Sequence, residues 1–171
     1  MSPPAAQVVL SLGSNLGDRM ANLQAAVDSL CAEPGLDDVA VSPVYETNPV
    51  GGPAQPDYLN AVLVARTSLL PRAVLARGQA AEAALGRVRA ERWGPRTLDV
   101  DVIVYGDQVS SDPELTLPHP HAHERAFVLA PWHDVDPDAV LPGRGRVTDL
   151  LAAVGTDGIR PCREARLRPA P

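Results

Sequence analysis

Two aspartates, Asp99 and Asp101, lie two residues apart in the apolar segment TLDVDVIVYG. Because side chains alternate along a strand, both carboxylates are expected on one face, with Val100, Val102 and Val104 on the other. Two neighbouring carboxylates repel each other unless a cation lies between them. Their oxygens suit Mg²⁺, which keeps several waters and takes one or two carboxylates together with substrate phosphates. The spacing is compatible with a metal delivered with a nucleotide, but by itself it does not exclude a solvated strand face or an aspartate–arginine pair.

The loop before this strand, GRVRAERWGPR, carries several arginines and one tryptophan. Arginine presents a rigid fork that binds phosphate oxygens in a bidentate manner. Trp93 could stack on a planar ring or close over a ligand. A charged surface loop with an incidental tryptophan is the alternative, but the loop leads directly into the aspartate pair, which favours a polyphosphate ligand. The arginines are Arg87, Arg89, Arg92 and Arg96.

The composition limits the possible functions. All fifteen cationic side chains are arginine, so the lysine-containing phosphate loop is impossible. A net charge of −6 and an aromatic content of 4% disfavour a ferredoxin-like RNA-binding module. Metal-dependent hydrolysis of phosphate esters remains an enzymatic alternative, because paired aspartates and arginines suit it too. The start of the chain lacks the pattern of a signal peptide and no stretch could span a membrane, so we expect a cytoplasmic protein. Nothing in the sequence demands a dimer, so we expect a monomer.

Further polar and aromatic residues occur in two proline-rich segments. The run PHPHAHERAF holds His119, His121 and His123; a zinc site is disfavoured because no cysteine is near, and we favour a phosphate contact by His119. The loop ETNPVGGPAQPDYLNA leads into a strand that contains Asn60, and a buried amide must be satisfied by the protein or by a ligand. Phe127 is either part of the core or stacks on a planar heterocycle.

The elements that must position these residues follow the order β-α-β-β-α-β. A helix is predicted from about Met20 to Cys31 with Asp18 as its N-cap, and a second from Pro71 to about Leu85. The segment YGDQV indicates a hairpin turn into a short strand. The order predicts an α+β, ferredoxin-like fold: an antiparallel sheet with helices packed on it and long mobile loops. We expect residues 1–171 to form a single domain with a frayed tail from about residue 160.

Four segments resemble one known family. LSLGSNLGDR, PDYLNAVL, GRVRAERWGPRTLDVDVIVYG and LTLPHPHAHERAFVL, in this order and spacing, are similar to the 6-hydroxymethyl-7,8-dihydropterin pyrophosphokinases of folate biosynthesis. The resemblance covers about residues 7–155, and its RWGPRTLDxD segment is highly specific. It implies transfer of the β,γ-pyrophosphoryl group of ATP to the pterin hydroxymethyl oxygen, with release of AMP and with two Mg²⁺ ions.

The resemblance also implies roles for particular residues. The metal ligands are Asp99 and Asp101, and these two act with Arg87 and Arg96 in catalysis. The implied pterin-binding residues are Thr47, Asn48, Val50, Tyr58, Asn60, Trp93 and Phe127. The implied ATP-binding residues are Gln79, Glu82, Arg89, Arg92, Trp93, Arg96, Val102, Thr116, His119 and Arg125. The chain departs from the family at two positions. Glu114 stands where some members have arginine, and Pro120 stands where many members have tyrosine.

Overall fold

The computed structural model describes residues 4–49, 54–86 and 97–169. Six of the predicted site residues lie outside these ranges: Val50, Arg87, Arg89, Arg92, Trp93 and Arg96. The strands are β1 (Ala6–Ser14), β2 (Leu36–Val41), β3 (Tyr45–Thr47), β4 (Tyr58–Thr67), β5 (Asp99–Tyr105), β6 (Ser110–Asp112), β7 (Leu115–Leu117), β8 (Val140–Leu141), β9 (Gly145–Arg146) and β10 (Ile159–Pro161). The helices are α1 (Arg19–Cys31), α2 (Pro71–Ala84), α3 (Ala126–Val135) and α4 (Val147–Val154), with a 3-10 turn at Ala122–Glu124.

The main sheet confirms the predicted α+β, ferredoxin-like fold. Its strands run in the order β10-β3-β4-β1-β5, and β2 pairs with β4 beyond the end of β3. Every pairing is antiparallel. The two segments β2 and β3 share one edge of β4, so the chain reproduces the βαββαβ order that the sequence predicts. No helix within the described ranges is long and apolar enough to cross a bilayer.

The sheet has apolar residues on both faces. On one face, here the reverse face, alternate residues of β1 and β4 such as Leu10, Leu12 and Leu63 pack with Leu23 and Val74 of α1 and α2. On the other face, here the front face, the intervening residues pack against α3, whose Trp132 is almost fully buried. Burial of these side chains stabilises the fold. Toward the start of β5, the front face of the sheet carries polar residues instead of apolar ones.

The predicted helix starts are confirmed. The Asp18 carboxylate accepts a hydrogen bond from the Ala21 N–H at 3.0 Å, so Asp18 caps α1. Pro71 is the first residue of α2, where its missing N–H costs no helical hydrogen bond. In the middle of α2, a Cβ on Gly78 would lie 2.9 Å from a methyl group of Val100. The absence of a side chain at residue 78 therefore lets α2 approach β5 closely.

The segment VAVSPVY is divided between β2 and β3. Ser42 interrupts it by pairing with Val62 through its backbone N–H and by accepting the Val62 N–H with its hydroxyl at 2.8 Å. Pro43 then has no N–H to offer to a β-ladder.

The hairpin predicted at YGDQV is wrong in its pairing, because β6 pairs with β7 and not with β5. The Gly106 N–H instead donates to the Gln7 carbonyl at 2.7 Å.

The alternation predicted along β5 holds at its start and fails at its end. Val100 and Val102 join the core of the reverse face, as predicted, but Val104 lies on the front face with Ile103. The cause is a bulge: Val9 pairs with Val104 while Leu10 pairs with Val102, so Ile103 is an extra residue.

The C-terminal segment differs from the frayed tail that the sequence predicts. Residues Ile159–Pro161 form β10, which pairs with β3 at the sheet edge. Farther along, the Gln24 side chain of α1 bonds both the N–H and the carbonyl of Arg168, each at 2.9 Å. Leu167 packs against the core of the reverse face. The described part of the tail is therefore held to the body of the protein.

Candidate active site

A cleft of about 240 Å³ opens on the front face of the sheet, beside the start of β5. Strands β1, β3, β4 and β5 supply its floor and one side, and the residues around the start of α3 supply another. This cavity is hereafter called the cleft. It is lined by Ser11, Gly13, Thr47, Asn48, Gln55, Tyr58, Asn60, Asp99, Asp101, His119, Arg125 and Phe127.

Asp99 and Asp101 both line the cleft. In the antiparallel pairing with β1, Asp101 lies opposite Ser11 and Asp99 lies opposite Gly13. The prediction that both carboxylates share one face is therefore confirmed. Between them, the Val100 N–H donates to the carboxylate of Glu82 at 3.1 Å, and Glu82 is only 4% exposed. A buried side chain of α2 thus fixes the backbone that carries the two aspartates.

Asn60 is held at the floor of the cleft. Its Nδ2 donates to the Thr47 hydroxyl at 2.6 Å, and both residues are buried. Across the neighbouring strand, Gly13 lies opposite Asn60. A Cβ on Gly13 would lie 2.8 Å from the Asn60 Oδ1, so only glycine leaves room for the amide in this position. The amide is thereby fixed with a defined direction for its donor and acceptor.

Aromatic residues contribute from two sides of the cleft. Tyr58 is the first residue of β4, and Phe127 lies in the first turn of α3. The guanidinium of Arg125 lies 5.5 Å from the centre of the Phe127 ring, within the range of a cation–π contact. Phe127 is partly buried against the front-face core, so it both packs with the core and borders the cleft.

His119 is held in a defined tautomer. Its Nδ1 accepts the His121 N–H at 3.1 Å, and its backbone N–H donates to the Ile103 carbonyl at 2.8 Å. Burial, followed by the charge of Arg125, lowers the pKa of His119 to about 4, although Asp99 opposes this shift. A neutral ring whose Nδ1 is an acceptor carries its proton on Nε2, which can then donate a hydrogen bond.

The turn after β1 supports the segment that precedes β4. The buried Asn15 side chain donates to the Gln55 side chain at 2.9 Å and to the Pro56 carbonyl at 3.0 Å. Asn22 of α1 in turn donates to the Leu16 carbonyl at 2.8 Å. The GSNLG sequence thus serves two structural purposes: Gly13 makes space for Asn60, and Asn15 holds Gln55 against the cleft.

The structure brings together nine of the residues that the sequence predicts for the site. Four others do not line the cleft. Gln79 is exposed on α2, Glu82 and Val102 are buried on the reverse face, and the Thr116 hydroxyl donates to the Asp112 carbonyl at 3.0 Å within the β6–β7 hairpin. The residues assembled in the cleft are Thr47, Asn48, Tyr58, Asn60, Asp99, Asp101, His119, Arg125 and Phe127.

The sequence analysis missed Ser11, Gly13 and Gln55, which also line the cleft. Ser11 and Gly13 could have been predicted to face the site, because they are small residues at alternate positions of an otherwise apolar strand. Gln55 had no signal, since its position depends on Asn15, forty residues away in the chain.

The aspartate pair suits a hydrated divalent cation. Within residues 4–49, 54–86 and 97–169, no three His, Cys, Asp or Glu side chains are grouped to share an ion. Two carboxylates in an open cleft leave the other coordination positions to water and to phosphate oxygens, which is the arrangement that Mg²⁺ prefers. The donor set therefore fits magnesium that is bound together with a nucleotide.

Known proteins are similar to this chain in sequence. The family described as 7,8-dihydro-6-hydroxymethylpterin-pyrophosphokinase (HPPK) matches residues 9–137. A 2-amino-4-hydroxy-6-hydroxymethyldihydropteridine pyrophosphokinase of Mycobacterium tuberculosis is 49% identical over 161 residues, which cover 85% of this chain and 82% of the relative. The enzyme of the same name from Pseudomonas aeruginosa is 44% identical over 153 residues, covering 90% and 94% of the two chains.

Solved structures share the fold. A crystal structure of HPPK-DHPS in complex with substrates has a TM-score of 0.66 at 12% identity, and a triple mutant of Plasmodium falciparum HPPK-DHPS with pteroate has a TM-score of 0.68 at 13% identity. The alignments cover 88% and 92% of this chain but only 43% and 46% of those longer chains. These similarities show the fold, and the sequence matches establish that the chain belongs to the 7,8-dihydro-6-hydroxymethylpterin-pyrophosphokinase family.

Proposed function

We propose that this member of the family transfers pyrophosphate from ATP to 6-hydroxymethyl-7,8-dihydropterin in the cleft, with two Mg²⁺ ions bound by Asp99 and Asp101. The products are AMP and the pterin pyrophosphate, as in folate biosynthesis. One observation carries the proposal: the carboxylate pair opens into the same cavity as an aromatic and amide-lined region. A carboxylate pair that would hold the metal of a nucleotide and a slot that would take a planar heterocycle would thus be adjacent, as the two substrates of this reaction require.

The pterin would bind at the end of the cleft formed by β3, β4 and α3. The Asn60 amide, held by Thr47, offers the paired donor and acceptor that the polar edge of a pterin needs. Tyr58 and Phe127 offer aromatic surfaces for stacking on its ring. Asn48 also lines this part of the cleft. Val50 and Trp93 are proposed for the same site on the family resemblance, and both lie outside the described residues.

The triphosphate would bind beside the aspartates. Bound Mg²⁺ would neutralise phosphate charge and orient the triphosphate for in-line attack at the β-phosphorus. Arg125 lines the cleft and can bind phosphate oxygens, and the neutral His119 can donate from Nε2. The remaining residues proposed for ATP binding rest on the family resemblance. They are Gln79, Glu82, Val102 and Thr116, together with Arg89, Arg92, Trp93 and Arg96, which lie outside the described residues.

The chemistry that we propose depends on positioning. No described histidine needs to act as a strong base, because phosphoryl transfer proceeds chiefly through alignment and charge stabilisation. Asn60 and Phe127 would fix the pterin so that its hydroxymethyl oxygen faces the β-phosphorus. We propose that Arg87 and Arg96 stabilise the transferred group, as the resemblance implies.

The direct test is to incubate the protein with ATP, MgCl₂ and the reduced pterin and to separate the nucleotide products. We expect AMP to form in equal amounts with pterin pyrophosphate. Formation of ADP would contradict pyrophosphoryl transfer, and turnover without the pterin would favour a phosphate-ester hydrolase. The monomeric state, the cytoplasmic location and the absence of nucleic-acid binding stay predictions. Light scattering and a salt-dependent RNA-binding assay test the first and the last.

A further inference from the structure

Arg160 of β10 lies directly behind the pterin side of the cleft. It is opposite Glu46 in the pairing of β10 with β3. Thr47 faces the cleft, so its neighbour Glu46 points to the reverse face of the sheet. Arg160 therefore meets Glu46 on the surface opposite the ligand, and its Nη1 also donates to the Oδ1 of the cleft-lining Asn48 at 3.5 Å. It lies in a segment that follows the residues matched by the family.

Arg160 connects the two strands that flank the pterin side. Its Nη2 lies 2.8 Å from the Glu46 carboxylate and 2.6 Å from the Asp57 carboxylate. Glu46 immediately precedes Thr47, and Asp57 immediately precedes Tyr58. Thr47 and Tyr58 are themselves paired across β3 and β4. The Arg160 guanidinium therefore forms ion pairs with both strands, each next to one of these two cleft-lining residues.

A second cation strengthens the same junction. Arg19 of α1 lies 2.9 Å from the other Glu46 oxygen and donates to the Asp57 carbonyl at 3.0 Å. Glu46 thus accepts from two arginines, and the hydrogen bond from Arg160 is the main cause that lowers its pKa below the ordinary value. Networks of this kind contribute more than isolated surface pairs, because each group is already held by another partner.

The backbone beside Arg160 also holds Asn48. The Asn48 N–H donates to the Gly158 carbonyl at 3.0 Å. Gly158 has a φ of 81°, and a Cβ there would lie 3.3 Å from the Asn48 side chain. Glycine is therefore required at residue 158 both for its backbone conformation and for the close approach of Asn48.

We propose that Arg160 is a positioning residue for dihydropterin binding: by joining Glu46 to Asp57, it fixes Thr47 and Asn48 relative to Tyr58. This inference rests on the proposed function. It assigns the C-terminal strand a role in substrate affinity that does not involve contact with the substrate. Arg160 should then affect the binding of the pterin much more than the binding of ATP or the chemical step.

The test compares wild type with Arg160→Ala, Arg160→Lys and the control Arg146→Ala. Arg146 is a matched control because it also faces a carboxylate, that of Asp138 at 3.7 Å, on the separate β8–β9 hairpin. We expect Arg160→Ala to raise KM for the dihydropterin about fivefold, while KM for ATP and kcat change less than about twofold. Arg160→Lys should give an intermediate KM, because an ammonium lacks the planar fork. Arg146→Ala should match wild type.

A second readout does not depend on activity. The exchange rate of the Asn48 amide proton, measured by NMR without substrates, should rise in Arg160→Ala and remain unchanged in Arg146→Ala. Equal changes in both KM values, or unchanged KM and exchange in a folded Arg160→Ala protein, would overturn the inference. If wild type makes no AMP, the proposed function fails, and unchanged Asn48 exchange in Arg160→Ala would still refute the positioning role by itself.

Discussion

Gly13 and Asn60 face each other across β1 and β4 so closely that a Cβ on Gly13 would lie 2.8 Å from the Asn60 Oδ1. Gly13→Ala should therefore displace the amide and weaken its bond to Thr47. We expect KM for the dihydropterin to rise about tenfold, because a tenfold change corresponds to the loss of about one good hydrogen bond. Steady-state kinetics with each substrate varied in turn measures the effect.

The matched control is a double-mutant cycle with Asn60→Ala. Once the amide is removed, the methyl group at residue 13 has nothing to displace, so Gly13→Ala should add little to the effect of Asn60→Ala. Additive effects would show that the methyl group acts by another route.

The aspartate pair should be essential for turnover and dispensable for folding. Asp99→Asn and Asp101→Asn keep the size of the side chain but remove a charged metal ligand. We expect each to lower kcat at least about a hundredfold and to raise the magnesium concentration needed for half-maximal rate. Product analysis over a MgCl₂ series checks this, with Asp107→Asn, beyond the end of β5, as the control. Loss of the folded circular-dichroism spectrum would instead indicate a structural role.

The ring of His119 should remain neutral throughout the physiological range. Its pKa lies near 4 because burial, helped by Arg125, disfavours the charged form. The unfolded chain binds this proton near pH 6.5, so it binds more protons than the folded protein between these two values. Stability should therefore fall as the pH is lowered from 6.5 toward 4, by up to about 3 kcal/mol.

Two measurements check the behaviour of His119. An NMR titration of the metal-free protein should show only a small change in the His119 ring signals between pH 8 and 5, because a pKa near 4 leaves about nine-tenths of the rings neutral at pH 5. Urea unfolding should show a smaller loss of stability between pH 6.5 and 4 in His119→Gln than in wild type. A His119 midpoint near 6.5 would contradict the prediction.

Glu82 should matter for the stability of β5 through its acceptor oxygen. Its buried carboxylate accepts the N–H of Val100, the residue between the two aspartates. Glu82→Ala would leave that buried N–H unsatisfied and should lower the free energy of unfolding by about 1–3 kcal/mol. Glu82→Gln keeps an acceptor and should lose less. If both variants are as stable as wild type but bind ATP weakly, Glu82 acts as an ATP contact and not as a support for β5.

The sequence predicts those parts of the fold that depend on local pattern. Asp18 and Pro71 mark helix starts because capping and the fixed φ of proline are local properties. The shared face of Asp99 and Asp101 follows from strand alternation alone. The position of Val104 could not be predicted in this way, because the bulge at Ile103 depends on how β5 pairs with β1.

The predicted site was incomplete for a related reason. Polar or aromatic side chains such as those of Asn60 and Phe127 can be recognised in a sequence as candidates for ligand contact. Gly13 has no side chain, and its importance appears only when Asn60 lies opposite it. Arg160 is similar, since one of four arginines in a proline-rich tail gives no indication that two carboxylates from other segments meet it.

The extra residue at Ile103 has a consequence for how this protein can vary. Before it, β5 directs Asp99 and Asp101 toward the cleft; after it, Val104 joins the apolar layer on that same side. Deleting Ile103 would restore the regular ladder and leave the acids and the valine on their present faces. It would instead remove the carbonyl that accepts the His119 N–H at 2.8 Å, so the extra residue matters for holding His119 beside the cleft and not for directing the acids into it.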